Sequence, residues 1–360
     1  MKQKLIVSCD PYLGDSKNRW FGQEMTGPGV RWISFDDRPV RFWERRIKRP
    51  NFATVRAALQ SVLTARREKA SLLFITDARL AFWCGFFSKI FPSEIPHCAF
   101  TFNFPELPAG TKRFLMSLAL RRIDEFFVHS SMERKVYSDY FKIPVDRLKV
   151  RLWSIDKPDV SPPYSLQLNP YVSAIGGNGR DYKTLFDASK LIPHIPLTVV
   201  ARPENLDGLG VPGHVRVLTN VPLDEAMNTL RYSEFTVLPL RNSRVPCGHV
   251  TLVCAMHLGR AVIATDSEGI SDYVKHGHNG ILCKANSPID LAAAIEKLWN
   301  DSELTARLAS CNAAFGAEHC TEKVARSDFS DLMIRHNLLH GTREFYRDGG
   351  CTGKADYPAV

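Results

Sequence analysis

The chain has 360 residues, of which 44% are hydrophobic and 24% charged, and it carries a net charge of +9. At about 150 residues per domain the length predicts two domains with cores of their own, and the composition excludes a mini-protein, a disordered chain, a collagen-like repeat and a disulfide scaffold. The charge is uneven, with 28 Lys and Arg against 17 Asp and Glu in residues 1–160 and 19 against 21 in residues 161–360, so the front half suits an anionic partner or a solvated basic face.

In chain order, Lys2 and Lys4 precede an apolar run, Leu5 to Cys9, that Asp10-Pro11 breaks. It is too short for a signal peptide and reads as a first strand. Further strands are predicted at Arg31 to Phe35, Leu72 to Ile75, His97 to Phe102, Phe126 to His129 and Leu148 to Trp153. The apolar region from Ser71 to Phe91 is broken by Asp77, Arg79 and Lys89, so no membrane-spanning segment is expected. Three prolines in Lys157-Pro158-Asp159-Val160-Ser161-Pro162-Pro163 read as an interdomain linker. A second strand series follows at Tyr171 to Ile175, Leu197 to Ala201, Val215 to Leu218, Phe235 to Leu238, Ala261 to Thr265 and Gly280 to Cys283. Strands alternating with helical stretches predict an α/β fold of two doubly wound, Rossmann-like domains, over residues 1–157 and 164–325. The segment 326–360 is expected to pack back on the first of them. Ser287-Pro288-Ile289-Asp290 announces a capped helix, and the nearly all-apolar stretch from Thr251 to Leu258, ended by Gly259, a buried one.

Nine cysteines, Cys9, Cys84, Cys98, Cys247, Cys254, Cys283, Cys311, Cys320 and Cys351, contain no C-x-x-C pair and lie mostly in apolar runs. They read as buried free thiols in a reducing cytoplasm.

Two segments of the second half have the chemistry of an anion site, because phosphates favour helix N-termini beyond the carboxyl ends of strands. The first is Gly176-Gly177-Asn178-Gly179-Arg180-Asp181-Tyr182-Lys183, between a strand and a helix expected from about Thr184. Its glycines allow close backbone approach, and Arg180 and Lys183 supply charge. The alternative is a flexible turn with solvent-facing cations. The second is Pro246-Cys247-Gly248-His249-Val250-Thr251, which opens the buried helix. Here Gly248 permits approach, the amides of His249, Val250 and Thr251 are orphan donors, and the Thr251 hydroxyl adds another. His249 reads as a phosphate donor or as a satisfied loop histidine. Facing one cleft, the two segments together point to a diphosphate.

The run from Gly248 through Ala255-Met256 and Ala261-Val262-Ile263-Ala264-Thr265, continued by Glu268-Gly269 and by His278-Asn279-Gly280, resembles the signature region of family-four retaining glycosyltransferases of the GT-B fold. Asp124 to Glu133 and Ile143 to Leu148 resemble the end of that family's first domain, so the similarity covers about residues 95–300. The resemblance implies two Rossmann-like domains facing a cleft, with an acceptor-binding front domain and a nucleotide-sugar-binding second one. It implies transfer of a hexosyl-type sugar from a nucleotide-sugar to a glycan or lipid-linked acceptor, with retention, as in the building of a bacterial surface polysaccharide or glycolipid. Residue by residue, Arg180 takes the family's pyrophosphate-binding position, and Arg202 and the Val221-Pro222 turn fall where the base is held. The two glutamates of the family's E-x7-E motif fall on Pro246 and Cys254, which departs from the pattern. Asn103, at the end of the strand that often delivers a histidine, is the candidate sugar contact, while His97 at its start reads as a packed residue. With Asn103, Arg180 and His249 as the candidate catalytic groups, cations and amides stabilise the leaving diphosphate. The sequence contains no D-x-D, Asp36 and Asp37 being adjacent, so neither metal nor cofactor is expected.

Two basic stretches interleave with apolar residues: Arg38 to Arg49, with Phe42 and Trp43, and Lys112 to Arg122, a helix with an apolar centre. They suit an anionic membrane surface, so a cytoplasmic protein docking peripherally on the inner face of the cell membrane is one expectation; the alternative is a core-facing helix with solvated ends. No nucleic-acid motif is present. The competing functional reading is a catalytically silent GT-B relative that binds a glycan or nucleotide.

Overall fold

The apolar runs are too short and too uniformly apolar to stand alone, and they are satisfied by pairing in parallel between layers of helices. The computed structural model describes residues 4–11, 26, 29–46, 51–104, 106–160, 169–241 and 247–338. Prolines 162 and 163 of the expected linker, the loop 242–246 with Pro246, residues 47–49 with Lys48 and Arg49, and the tail 339–360 with Cys351 lie outside them. The chain divides into two compact units, residues 4–151 with 326–338, and residues 152–325.

In the first unit β1 (Lys4–Asp10), β2 (Val30–Asp36), β3 (Leu72–Ile75), β4 (His97–Ala99), β5 (Glu125–Val128) and β6 (Leu148–Val150) form a parallel sheet in the order β2-β1-β3-β4-β5-β6. The strand expected to reach Phe102 stops at Ala99, after which single backbone bonds, Phe100 N–H to Ile75 O and Phe102 N–H to Phe127 O, carry the chain outward. After the short helix α1 (Phe42–Arg46), whose only buried residue is Glu44, one face is covered by α2 (Phe52–Glu68), α3 (Ala78–Ile90), α4 (Gly110–Leu120) and α5 (Ser131–Phe141), with Val7, Leu80, Phe126 and Phe141 in its core. The other face is closed by α11 (Glu322–Arg335), whose Phe329, Leu332 and Met333 pack on Ile6, Phe74 and Phe100. Arg335 adds an ion pair to Glu125 at 2.8 Å.

The second unit repeats the plan with β7 (Val172–Ile175), β8 (Leu197–Ala201), β9 (Val215–Thr219), β10 (Phe235–Leu238), β11 (Ala261–Thr265) and β12 (Ile281–Cys283), all parallel, in the order β12-β11-β10-β7-β8-β9. The helices are α6 (Tyr182–Leu191), α7 (Leu223–Arg231), α8 (His249–His257), α9 (Pro288–Asn300) and α10 (Ser302–His319). Ser287 caps α9 by accepting from Asp290 N–H, and Gly259, at φ 64°, ends α8 with Arg260 N–H on Ala255 O, both as the sequence pattern requires. The strand order reverses between β7 and β10. In an open parallel sheet that is the switch point where a crevice opens beyond the carboxyl ends of the strands. Among the described residues no helix is long and apolar enough to cross a membrane.

Candidate functional site

The segment leaving β7 and the one leaving β10 meet at this switch point. Arg180 and Leu240 form an antiparallel bridge, Asp181 N–H donates to Pro239 O and Arg241 N–H to Gly179 O, both at 2.9 Å. The glycine-rich turn is therefore stitched to the chain leading into α8. Tyr182, buried, donates its hydroxyl to Gly176 O, which holds the turn from beneath. Burial pushes its phenol pKa up to about 12.

Arg180 lies at the centre and is buried. Nε donates to Ile175 O at 3.1 Å, Nη1 to Asn178 O at 2.9 Å and Nη2 to Thr251 Oγ1 at 2.8 Å. Three of the five guanidinium N–H groups are thus committed, every one to an uncharged oxygen. No carboxylate among the described residues pairs with it, and the whole stretch 235–265, the loop 242–246 included, contains no Asp or Glu. Burial lowers its pKa, but a guanidinium keeps its proton, so the site holds a desolvated positive charge without a counter-ion among the described residues. Glycines make room for it. At Gly176, φ 126°, a Cβ would lie 2.4 Å from Nη2, and at Gly248, φ 92°, one would lie 3.3 Å from Nη1.

The two helix N-termini that the sequence offered differ. At α6 the position is occupied, because Asp181 accepts from Thr184 N–H at 3.1 Å and from Thr184 Oγ1 at 2.6 Å. At α8 the N-cap is Gly248, which brings no side-chain oxygen. Its first-turn amides, those of His249, Val250 and Thr251, precede the first intrahelical donor, Leu252 N–H to Gly248 O. They remain without intrahelical partners beside the Arg180 guanidinium.

The remaining candidates fall in different places. The His249 ring is buried, stacks on Tyr273 at 4.8 Å and donates Nε2–H to Gly269 O at 3.0 Å. Burial pushes its pKa down to about 4, so near neutrality its single N–H is committed and only its backbone amide serves the helix start. Lys183 is exposed on α6, its ammonium paired with Asp187 at 2.7 Å. The side chain of Arg202 packs against Gly177, where a Cβ would lie 2.9 Å from its Cδ, and Val221 joins the apolar cluster around α8. Asn103 belongs to the first unit and is exposed. His97 is buried, with Ser88 Oγ and Ile95 O each 2.7 Å from its ring nitrogens. Cys254 is buried among the same apolar residues as α8's neighbours, and burial pushes its thiol up to about 12. Asn279 ties its own turn, accepting from Lys275 N–H and donating to Tyr273 O.

Arg241, unassigned by the sequence reading, donates Nε–H to Arg180 O at 3.1 Å. Its only signal was its place as the first cation beyond β10, which becomes meaningful once β10 is known to lie beside β7.

Residues 201–313 match the family model described as glycosyl transferases group 1. An uncharacterized glycosyltransferase of Methanocaldococcus jannaschii is 31% identical over 110 residues, 31% of this chain and 30% of that protein. The chain thus spans under a third of that relative's length. Sucrose-phosphate synthase of Thermosynechococcus elongatus superposes with a TM-score of 0.70 at 15% identity, over 92% of this chain and 99% of the other. Anabaena HepE, solved with UDP, superposes with a TM-score of 0.67 at 16% identity over the same shares, and it has also been solved with UDP-glucose. The fold of this chain is GT-B.

Proposed function

We propose that the chain is a glycosyltransferase that takes a sugar from a nucleotide-sugar and passes it to a glycan or lipid-linked acceptor, with retention and without a metal. The observation that carries this reading is Arg180, a buried cation with no counter-ion among the described residues, at the switch point of the second sheet beside the uncapped start of α8. A desolvated charge is costly unless paired, and a diphosphate supplies the missing anion. When the bond between the anomeric carbon and the phosphate oxygen breaks, its electron pair goes to that oxygen. The two N–H groups of Arg180 not otherwise engaged and the amides of His249, Val250 and Thr251 would meet the new charge with no reorganisation. The Thr251 hydroxyl, accepting from Arg180, keeps its own proton to donate. Arg202 and Val221 would border the base, and Asn103 would touch acceptor or sugar. The matched family region and the neighbour that binds UDP-glucose support the donor class.

A second reading, a module that binds a nucleotide without transfer, is favoured by Cys254. A buried, neutral thiol stands where the resembling family has its second motif glutamate, and the first falls on Pro246.

Incubation with UDP-, GDP- and ADP-sugars distinguishes the readings. Transfer activity predicts slow release of nucleoside diphosphate from at least one donor, unaffected by EDTA and abolished in Arg180→Ala. Inertness towards every donor, with binding retained, selects the second reading, and absence of binding overturns both.

A further inference from the structure

We propose that the outer face of α3 and α4 in the first unit is a docking surface for an anionic lipid bilayer. The two helices adjoin closely, since a Cβ on Gly85 would lie 2.5 Å from Ala119 O. In α4, Met116, Ala119 and Leu120 face the core, as in any amphipathic helix. The opposite side is apolar as well: Phe114, Leu115 and Leu118 are 69%, 45% and 41% exposed. Beside them on α3, Ile90 is 53% exposed and Trp83 and Phe86 stack edge to face at 5.7 Å, both half-buried. Scattered exposed apolar residues are ordinary, but a run of them across two touching helices marks an interaction site.

Charge selects the partner. Neither α3 nor α4 contains an Asp or Glu. Lys89, Lys112 and Arg121 are exposed around the patch. The other cations are spent locally: Arg79 on Asp77, Arg113 on Tyr140 O and Arg122 on Ser93 O and Ile95 O. Of the carboxylates flanking the two helices, Asp77 caps α3 and Asp124 pairs with Arg122, while Glu94 and Glu106 are exposed beyond the end of α3 and before the start of α4. An apolar face on two helices that carry cations and no acid matches the boundary between anionic headgroups and acyl chains, into which such a face sinks by about 5–10 Å. The other basic stretch, at α1, is not part of this surface; there Arg46 lies over Phe42 at 4.4 Å and Arg41 over Trp43 at 5.7 Å.

Co-sedimentation of the full chain with vesicles tests the proposal. No donor or acceptor is present, so failure here leaves glycosyl transfer untouched. The chain is expected to sediment with phosphatidylcholine vesicles containing phosphatidylglycerol, not with phosphatidylcholine alone, and less so as salt rises. The double variant Phe114→Ser, Leu118→Ser and the double variant Lys112→Glu, Arg121→Glu are each expected to weaken binding about tenfold or more, with unchanged circular dichroism and melting temperature. No sedimentation with anionic vesicles, equal sedimentation with both vesicle types, or variants that bind like the parent would overturn it. So would a concentration-dependent dimer that is lost in the serine variant while vesicles are ignored, which would assign the face to a second copy of the chain.

Discussion

Arg180 concentrates the physics of the site in one side chain. Its three hydrogen bonds to neutral oxygens hold the guanidinium in place, but they do not neutralise it. Arg180→Ala therefore has opposed effects on the empty protein, losing those bonds while relieving a buried charge, and a small change in melting temperature is expected. Binding has no such compensation. Loss of a charge-assisted contact worth about 2 kcal/mol weakens a nucleoside diphosphate by about thirtyfold, which calorimetric titration with UDP, GDP and ADP will measure. Gly176→Ala is expected to disturb the same group from the other side. The added methyl meets Nη2 at 2.4 Å on a backbone at φ 126°, so thermal unfolding should drop by about 1–3 kcal/mol, with weakened nucleotide binding. The position of Arg180 after a glycine-rich turn was legible in the sequence, and so, in principle, were two facts that redirect its neighbours. Asp181 and Thr184 have the spacing of a helix N-cap, and Lys183 and Asp187 that of a helical ion pair. The first pairing sets a carboxylate at the start of α6, and the second offsets the Lys183 ammonium.

At the scale of the element, helix ends decide what each segment can do. The start of α8 is open because Gly248 brings no capping oxygen, whereas α5 closes its own start reciprocally. Ser130 accepts from Glu133 N–H at 3.1 Å and the Glu133 carboxylate accepts from His129 N–H at 2.6 Å. Glu133 is buried, and desolvation raises its pKa from 4.5 to about 7 against the lowering effect of these bonds. A raised folded-state value means that this carboxyl's contribution to stability is fully present below pH 4.5 and is lost as the pH rises from there through about 7. The loss amounts to about 3 kcal/mol. Glu133→Gln cannot ionise, so urea unfolding at pH 5 and pH 8 should show the variant gaining on the parent at the higher pH. A constant difference would mean that the carboxylate is already charged at pH 5. Strand and helix identities were largely readable from apolar runs and caps, as at Ser287 and Gly259. Strand ends were less so: β4 stops at Ala99 although Phe100 and Phe102 are equally apolar, because burial beyond the sheet edge demands the same residues as burial within it.

For the whole molecule, two α/β units were evident from the alternation of strands and helices, but the order of strands was not. That order, β12-β11-β10-β7-β8-β9, places the exits of β7 and β10 side by side although some sixty residues separate them in the chain, and it makes one site of Arg180 and Thr251. A nucleotide that binds only the folded state raises the melting temperature, and the base giving the largest rise among UDP, GDP and ADP identifies the donor class. The most direct test is a crystal structure with that nucleotide bound. The account predicts the diphosphate within about 3 Å of the Arg180 guanidinium and of the first-turn amides of α8, with no metal between them. A diphosphate bound through a cation to carboxylates, or seated at α6 with Arg180 still alone, would contradict it.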